Sequence, residues 1–414
     1  MLGLPSPLRV VTLALGLLGA AACAKDRSTA PTAWARFEGE AYPNRRAKVE
    51  LPTSGDVALV ANATSDTLRF VALDPARPIA TLPVGRDPID IDGPHHLAVD
   101  RERTFVVVAL AYPPVTEAQG PHAGHSHGAS QRVGFVQKLA LSDLHLLGEV
   151  RVDPNPGDLA LSDDGSRLVV THYDLSRATT GKSIEEQRAN LMVVDPRALA
   201  PVGSPEPNKT RVCVAPHGVA LSPGDGRTAF VACYGEDALA VVDVASPELP
   251  LTRIPLRGGS VQAGAPTLGP YAAVASPDAN TIAVSCLLSK EVRLFDVAAR
   301  AFRDTALLVS GAAYFPAWSS DGKTLYVPVQ NPDAIVALDV TTGKTILTHP
   351  LDASCTKPHD VVRSSDGQSL YVVCEGSAPD AGAIVILDAA TLEEKARVAA
   401  GSTPDRMASW RAGP

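Results

Sequence analysis

Three histidines follow a proline at matching places in a repeating phrase: Pro94-His95, Pro216-His217 and Pro358-His359. Imidazoles that converge on a polar tunnel can hold a transition metal, an anion or a substrate carboxylate. With His95, His217 and His359 as ligands and a fourth position open, such a centre would have what metal-assisted hydrolysis needs. Against that stands a plainer role, histidines that pack or hydrogen-bond within the ring, since a repeat position is inherited by copying. Tyr271, Tyr314 and Gly157 take the same place in other copies, and His96 stands beside His95 as a substitute for it. A second set of imidazoles, His122, His125 and His127, lies in Pro121-His122-Ala123-Gly124-His125-Ser126-His127-Gly128. Alternating His in a Gly-containing loop chelates zinc, copper or nickel weakly, or remains a solvated loop.

The cysteines repeat as well. Cys213-Val214-Ala215-Pro216-His217 is followed by Cys233, and Cys355-Thr356-Lys357-Pro358-His359 by Cys374 at nearly the same distance. Two copies of one order predict the disulfides Cys213 to Cys233 and Cys355 to Cys374. The competing reading is Cys/His metal ligation, but the spacing matches no compact zinc knuckle. Cys286 sits at the repeat position of Cys233 and Cys374 without an upstream partner, and reads as a buried small hydrophobe.

The elements that must carry these residues follow from self-similarity at a period of about 40 to 55 residues. Leu221-Ser222-Pro223-Gly224-Asp225-Gly226 and the phrases at Ser162-Asp163-Asp164-Gly165, Ser276-Pro277-Asp278, Ser320-Asp321-Gly322 and Ser365-Asp366-Gly367 are tight turns between β-rich segments. Strands close on Asp74, Asp195, Asp243, Asp296, Asp339 and Asp388. Repeat starts near Lys48, His95, Gly157, His217, Tyr271, Tyr314 and His359 predict an all-β propeller of about seven four-stranded blades, with six or eight as neighbouring counts. Either residues 34–42 or the tail 407–410 could complete the ring.

Leu59-Val60-Ala61-Asn62-Ala63-Thr64 and Leu325-Tyr326-Val327-Pro328-Val329-Gln330-Asn331 resemble the YVTN-repeat propellers of bacterial surface and periplasmic proteins, over residues 48–404. The resemblance implies a disk of radial sheets and, because such propellers serve many functions, no particular chemistry. In a propeller blade the loop entering the innermost strand and the loop joining the second and third strands open on one face. That face therefore collects the Cys pairs, His95, His217, His359, the insertion 112–132, and the loop 173–190 with a short helix around 183–188. The two loops together suggest a lid.

The N-terminus sets the expected compartment. Arg9, the apolar run from Val10 to Leu18 and Ala20-Ala21-Ala22-Cys23 read as a signal peptide over 1–22, with Cys23 lipidated at a lipobox-like site. Cleavage near Ala22 without lipidation is the alternative. Residues 23–46 read as a tether and 47–414 as a single propeller domain. An outer-membrane lipoprotein facing the periplasm or the outside is the expectation. A net charge of −8 with scattered Lys and Arg argues against nucleic acid. The sequence holds no Cys-x-x-Cys-His, hence no covalent haem of the usual kind, and no phosphate loop or dinucleotide fingerprint. The leading expectation is an envelope-anchored binding or scaffold module presenting its top face to a protein or small ligand, with a metal as an option. The alternatives are a lactonase-like metal-assisted hydrolase and an accessory protein to a periplasmic redox enzyme.

Overall fold

A computed structural model describes residues 46–413 apart from 87, 89, 90, 114–127, 260–265 and 378–381. Cys23, His122, His125, His127 and the segment 34–42 lie outside the described residues. The described strands form seven antiparallel sheets of four or five strands, the blades of a propeller. In chain order the innermost strands of blades 2, 3, 4, 5 and 7 are Pro94–Val99, Pro156–Leu161, Pro216–Leu221, Pro270–Ala275 and Pro358–Arg363. In blade 6 that strand is split into Ala312–Ala313 and Ala317–Trp318.

Blade 1 differs from the expectation that it begins its own innermost strand near Lys48. Its second strand, Asp56–Asn62, pairs instead with the C-terminal strand Pro404–Arg411, in register Val57 to Trp410 and Leu59 to Ala408. The tail thus closes the ring. A latch completes the seam, for Asp56 Oδ2 accepts from Ser365 N (2.8 Å) and from the Tyr371 hydroxyl (2.8 Å) of blade 7.

Burial explains the strand composition. Second strands have sheet neighbours on both sides and blades above and below, so Asp56–Asn62 and Thr281–Cys286 are buried at every position. An outermost strand such as Thr345–Pro350 has no buried residue, and from Ile346 on it alternates exposed with half-buried positions. Apolar side chains meet between blades: Val169 and Leu191 of blade 3 pack with Val231 and Ala240 of blade 4. Such interfaces stabilise each sheet only through its neighbour.

The turns use one device repeatedly. Ser162 Oγ donates to Asp164 Oδ1 (2.7 Å), Asp164 Oδ1 accepts from Ser166 N, and Ser162 Oγ accepts from Arg167 N. Ser276 with Asp278, Ser319 with Asp321 and Ser364 with Asp366 do the same. The capping serine is two residues before the aspartate, so Ser319 and Ser364 do this work, not the adjacent Ser320 and Ser365. Gly165 and Gly367 follow at φ of +65° and +76°, a conformation costly for other residues.

Both disulfides are present, Cys213 to Cys233 and Cys355 to Cys374, with Cα separations of 5.8 and 5.1 Å. The first joins the outermost strand of blade 3 to the second strand of blade 4. Cys286 is a buried free thiol whose ionisation burial pushes up.

Candidate functional site

Each innermost strand delivers one residue to the top of the channel. In ring order these are Asp405, His95, Gly157, His217, Tyr271, Tyr314 and His359, and the following position supplies His96 and Asp158. His95, His96, His217 and His359 are all at most 1% exposed. Their rings converge: centroids lie 4.2 Å apart for His95 and His96, 5.4 Å for His96 and His217, and 6.2 Å for His95 and His217.

The distances choose a different trio from the one expected. One ring nitrogen each of His95, His96 and His217 lies within 4.8 Å of the others. His359 instead directs Nδ1 to Asp405 Oδ1 at 2.7 Å, and its Nε2 lies 3.3 Å from the Tyr271 hydroxyl. His96 thus joins His95 where the equivalent-position argument placed His359. The structure also brings in carboxylates that the residue patterns had not singled out. Asp405 reaches His95 Nδ1 with its other oxygen, and Asp158 pairs with His96 Nδ1. A signal for Asp405 did exist, because Pro404-Asp405 repeats the Pro-His phrase in the closing strand.

Electrostatics follow from this packing. Burial would raise the Asp405 carboxyl, but His359 and His95 outweigh it and hold it well below the usual range. Burial likewise opposes charge on His359, yet Asp405 lifts it to about 9, so this imidazole is cationic at neutral pH. Burial, together with the imidazoles of His96 and His95, keeps His217 well below its ordinary value and therefore neutral. Neutral imidazole is the form that binds a metal. Burial pushes Glu375, close by in blade 7, up to about 7.

Aromatic side chains enclose the cluster. The Tyr271 ring stacks on His217 at 3.8 Å, the Tyr173 edge meets His217 at 4.9 Å, and Phe315 touches His96, His217 and His359. Tyr173 opens the loop 173–190, which folds into helices Leu175–Thr180 and Ile184–Gln187, each capped by a side chain, Asp174 and Ser183. Leu175, Ala178 and Ile184 pack against the buried cluster that contains Tyr173, Tyr271 and Phe315, so this loop lies over the mouth. The base of the insertion 112–132 joins it through Gln131 Nε2 to Ser176 Oγ (2.6 Å) and Ser176 N to Gly128 O (3.0 Å). A polar cavity of about 360 Å³, lined by Ser130, Gln131, Asp174, Arg177 and Glu186, lies beside these contacts.

A family model described as a seven-bladed β-propeller lactonase matches residues 126–391, well over half of the chain. No curated protein sequence matches it. Among solved structures, a candidate 6-phosphogluconolactonase from Bacteroides uniformis is 14% identical with a TM-score of 0.62, covering 86% of this chain and 99% of that one. The periplasmic gluconolactonase of Pseudomonas aeruginosa is 16% identical with a TM-score of 0.62, covering 86% and 100%. Hydrazine synthase of Kuenenia stuttgartiensis is 19% identical with a TM-score of 0.53, covering 74% and 80%. At these identities the likeness to solved structures is one of fold.

Proposed function

The chain belongs to the seven-bladed β-propeller lactonase family, and from that premise we propose that it hydrolyses a small lactone at the channel mouth, with His95, His96 and His217 holding a divalent transition metal. The observation that carries the metal is the donor set: three buried imidazoles within 4.8 Å, of which His96 Nε2 is buried with no hydrogen-bond partner. A bound divalent ion would supply Lewis acidity toward the lactone carbonyl. The residues of the chain do the rest. Asp405 and Asp158 orient His95 and His96 through Nδ1. Burial keeps the Tyr271 phenol protonated; its oxygen accepts from the cationic His359 Nε2, which leaves its own proton for a substrate oxygen at the mouth. Phe315, Tyr271 and Tyr173 keep bulk water out. Asp158, Asp360, Asp405 and Glu375 are buried around the cluster, which disfavours a phosphorylated substrate and suits a neutral lactone.

A second reading, a binding module that carries the metal without turnover, is favoured by one observation: all three ligands are buried, His217 with the Tyr173 edge against it. Metal content by elemental mass spectrometry, measured with acid release from glucono-δ-lactone on untagged protein, separates the two. Near-stoichiometric metal with metal-dependent hydrolysis supports the enzyme, metal without hydrolysis supports the carrier, and hydrolysis indifferent to metal removes the metal from the reaction. On sequence grounds we place the protein in the cell envelope with a lipid on Cys23, a compartment that suits its two disulfides.

A further inference from the structure

Asp405 lies on the strand in which the two ends of the chain meet, and its carboxylate is fully buried. It reaches both ways along the ring, to His95 of blade 2 and to His359 of blade 7. Asp158 holds His96 in the equivalent manner while its second oxygen accepts from Val219 N (2.9 Å), two residues beyond His217. A carboxylate on Nδ1 keeps the proton there, fixes the ring plane and leaves the Nε2 lone pair for a ligand. Both adjacent histidines are therefore set in the same tautomer, aimed away from their carboxylates.

We infer that Asp405 is the positioning residue that turns His95 to present Nε2 to the metal, so that the metal site is completed only when Pro404–Arg411 has closed the ring. This rests on the metal reading above. Its consequence is thermodynamic: a metal that binds the closed ring and not the open one stabilises closure by mass action. One residue joins the two events, since Asp405 is supplied by the last strand while His95 and His217 belong to blades 2 and 4. Were Asp405 only the counter-ion of His359, its loss would lower stability but leave metal affinity and the His95 tautomer alone.

The test uses the mature chain and zinc alone, with affinity from competition against a chromophoric chelator and thermal midpoints with and without zinc. Asp405→Asn is expected to weaken zinc binding by roughly 10- to 100-fold and to shrink the zinc-induced rise in midpoint in step. Tyr371→Phe removes one bond of the seam latch at the opposite end of the closing strand, and is expected to lower the metal-free midpoint while leaving zinc affinity unchanged. Nitrogen-15 histidine spectra of the unmutated zinc form are expected to show His95 with its proton on Nδ1, a readout that stands even where the variant does not fold. Zinc affinity of Asp405→Asn within about twofold of the parent, against the usual loss for an outer partner, or Nδ1 ligation of His95, overturns the inference while the metal reading survives. A parent protein that binds no zinc overturns both.

Discussion

The ring of Tyr271 lies face to face with that of His217 at 3.8 Å between centroids, while its hydroxyl stands 3.3 Å from Nε2 of His359. One side chain therefore supports two different imidazoles by two different means, and substitutions separate them. Tyr271→Ala removes a fully buried ring and is expected to cost about 3–5 kcal/mol of stability. Tyr271→Phe keeps the stack, costs about 1 kcal/mol, leaves metal affinity intact and slows lactone turnover about 100-fold through the lost donor. Denaturant titration and initial rates check both; equal turnover in Tyr271→Phe and parent would remove the hydroxyl from the reaction.

The two histidine trios make opposite predictions. His96→Ala and His217→Ala are expected to abolish metal binding, because each removes one of the converging donors. His359→Ala is expected to keep the metal yet destabilise the fold, since it strips Asp405 of the cation 2.7 Å away. Breaking such a buried pair typically costs about 3–5 kcal/mol. Elemental analysis of the three variants, beside their thermal midpoints, decides between them.

Reduction of the disulfides should be felt across blade boundaries. Cys213 and Cys233 close a loop with a sequence separation of 20, for which chain-entropy arguments give about 3 kcal/mol. Denaturation of the parent with and without reductant, and of Cys213→Ala/Cys233→Ala, should show losses of that order. Cys286, a fully buried free thiol, should resist maleimide until the protein unfolds.

Stability should depend on pH in two opposite senses, for separate reasons. Backbone and serine hydrogen bonds lower Asp164 to about 2, and serine and backbone bonds also lower Asp278 and Asp321. A group lowered in the folded state contributes stability above its unfolded value near 4 and loses it as pH falls through its folded value. Acid unfolding followed by circular dichroism should therefore begin at higher pH in Ser162→Ala. Glu375 has the opposite sign: burial raises it to about 7, so its contribution is complete below its usual 4.5 and is lost as pH climbs through 7. In Glu375→Gln that decline between about 4.5 and 7 should flatten.

Much of the architecture was legible from residues alone, for local reasons. The Ser-x-Asp turn chemistry recurs in blades 3, 5, 6 and 7 and the Pro-x phrase in every blade but the sixth, and each encodes contacts within one hairpin or between consecutive strands. The disulfides are also close in sequence: Cys213 and Cys233 flank the innermost strand Pro216–Leu221, and the same order recurs at Cys355 and Cys374, so their order sufficed to pair them. The short helix near Ser183 likewise announces itself through a capping serine followed by Glu186. Residues 122–127 and Cys23 lie outside the described structure, and their roles remain sequence proposals.

The residues by themselves determined that a ring would form, roughly how many blades it would have, and that histidines would gather at one mouth. Tertiary structure alone decided which end of the chain closes the ring, and with it which histidines can share an ion. Closure by Pro404–Arg411 inserts Asp405 between His95 and His359, and that carboxylate claims His359 and leaves His96 to complete the trio. No periodicity records this, because the repeat specifies each residue's place within its blade, whereas a ligand set depends on distances across the channel that exist only once the first and last strands have paired.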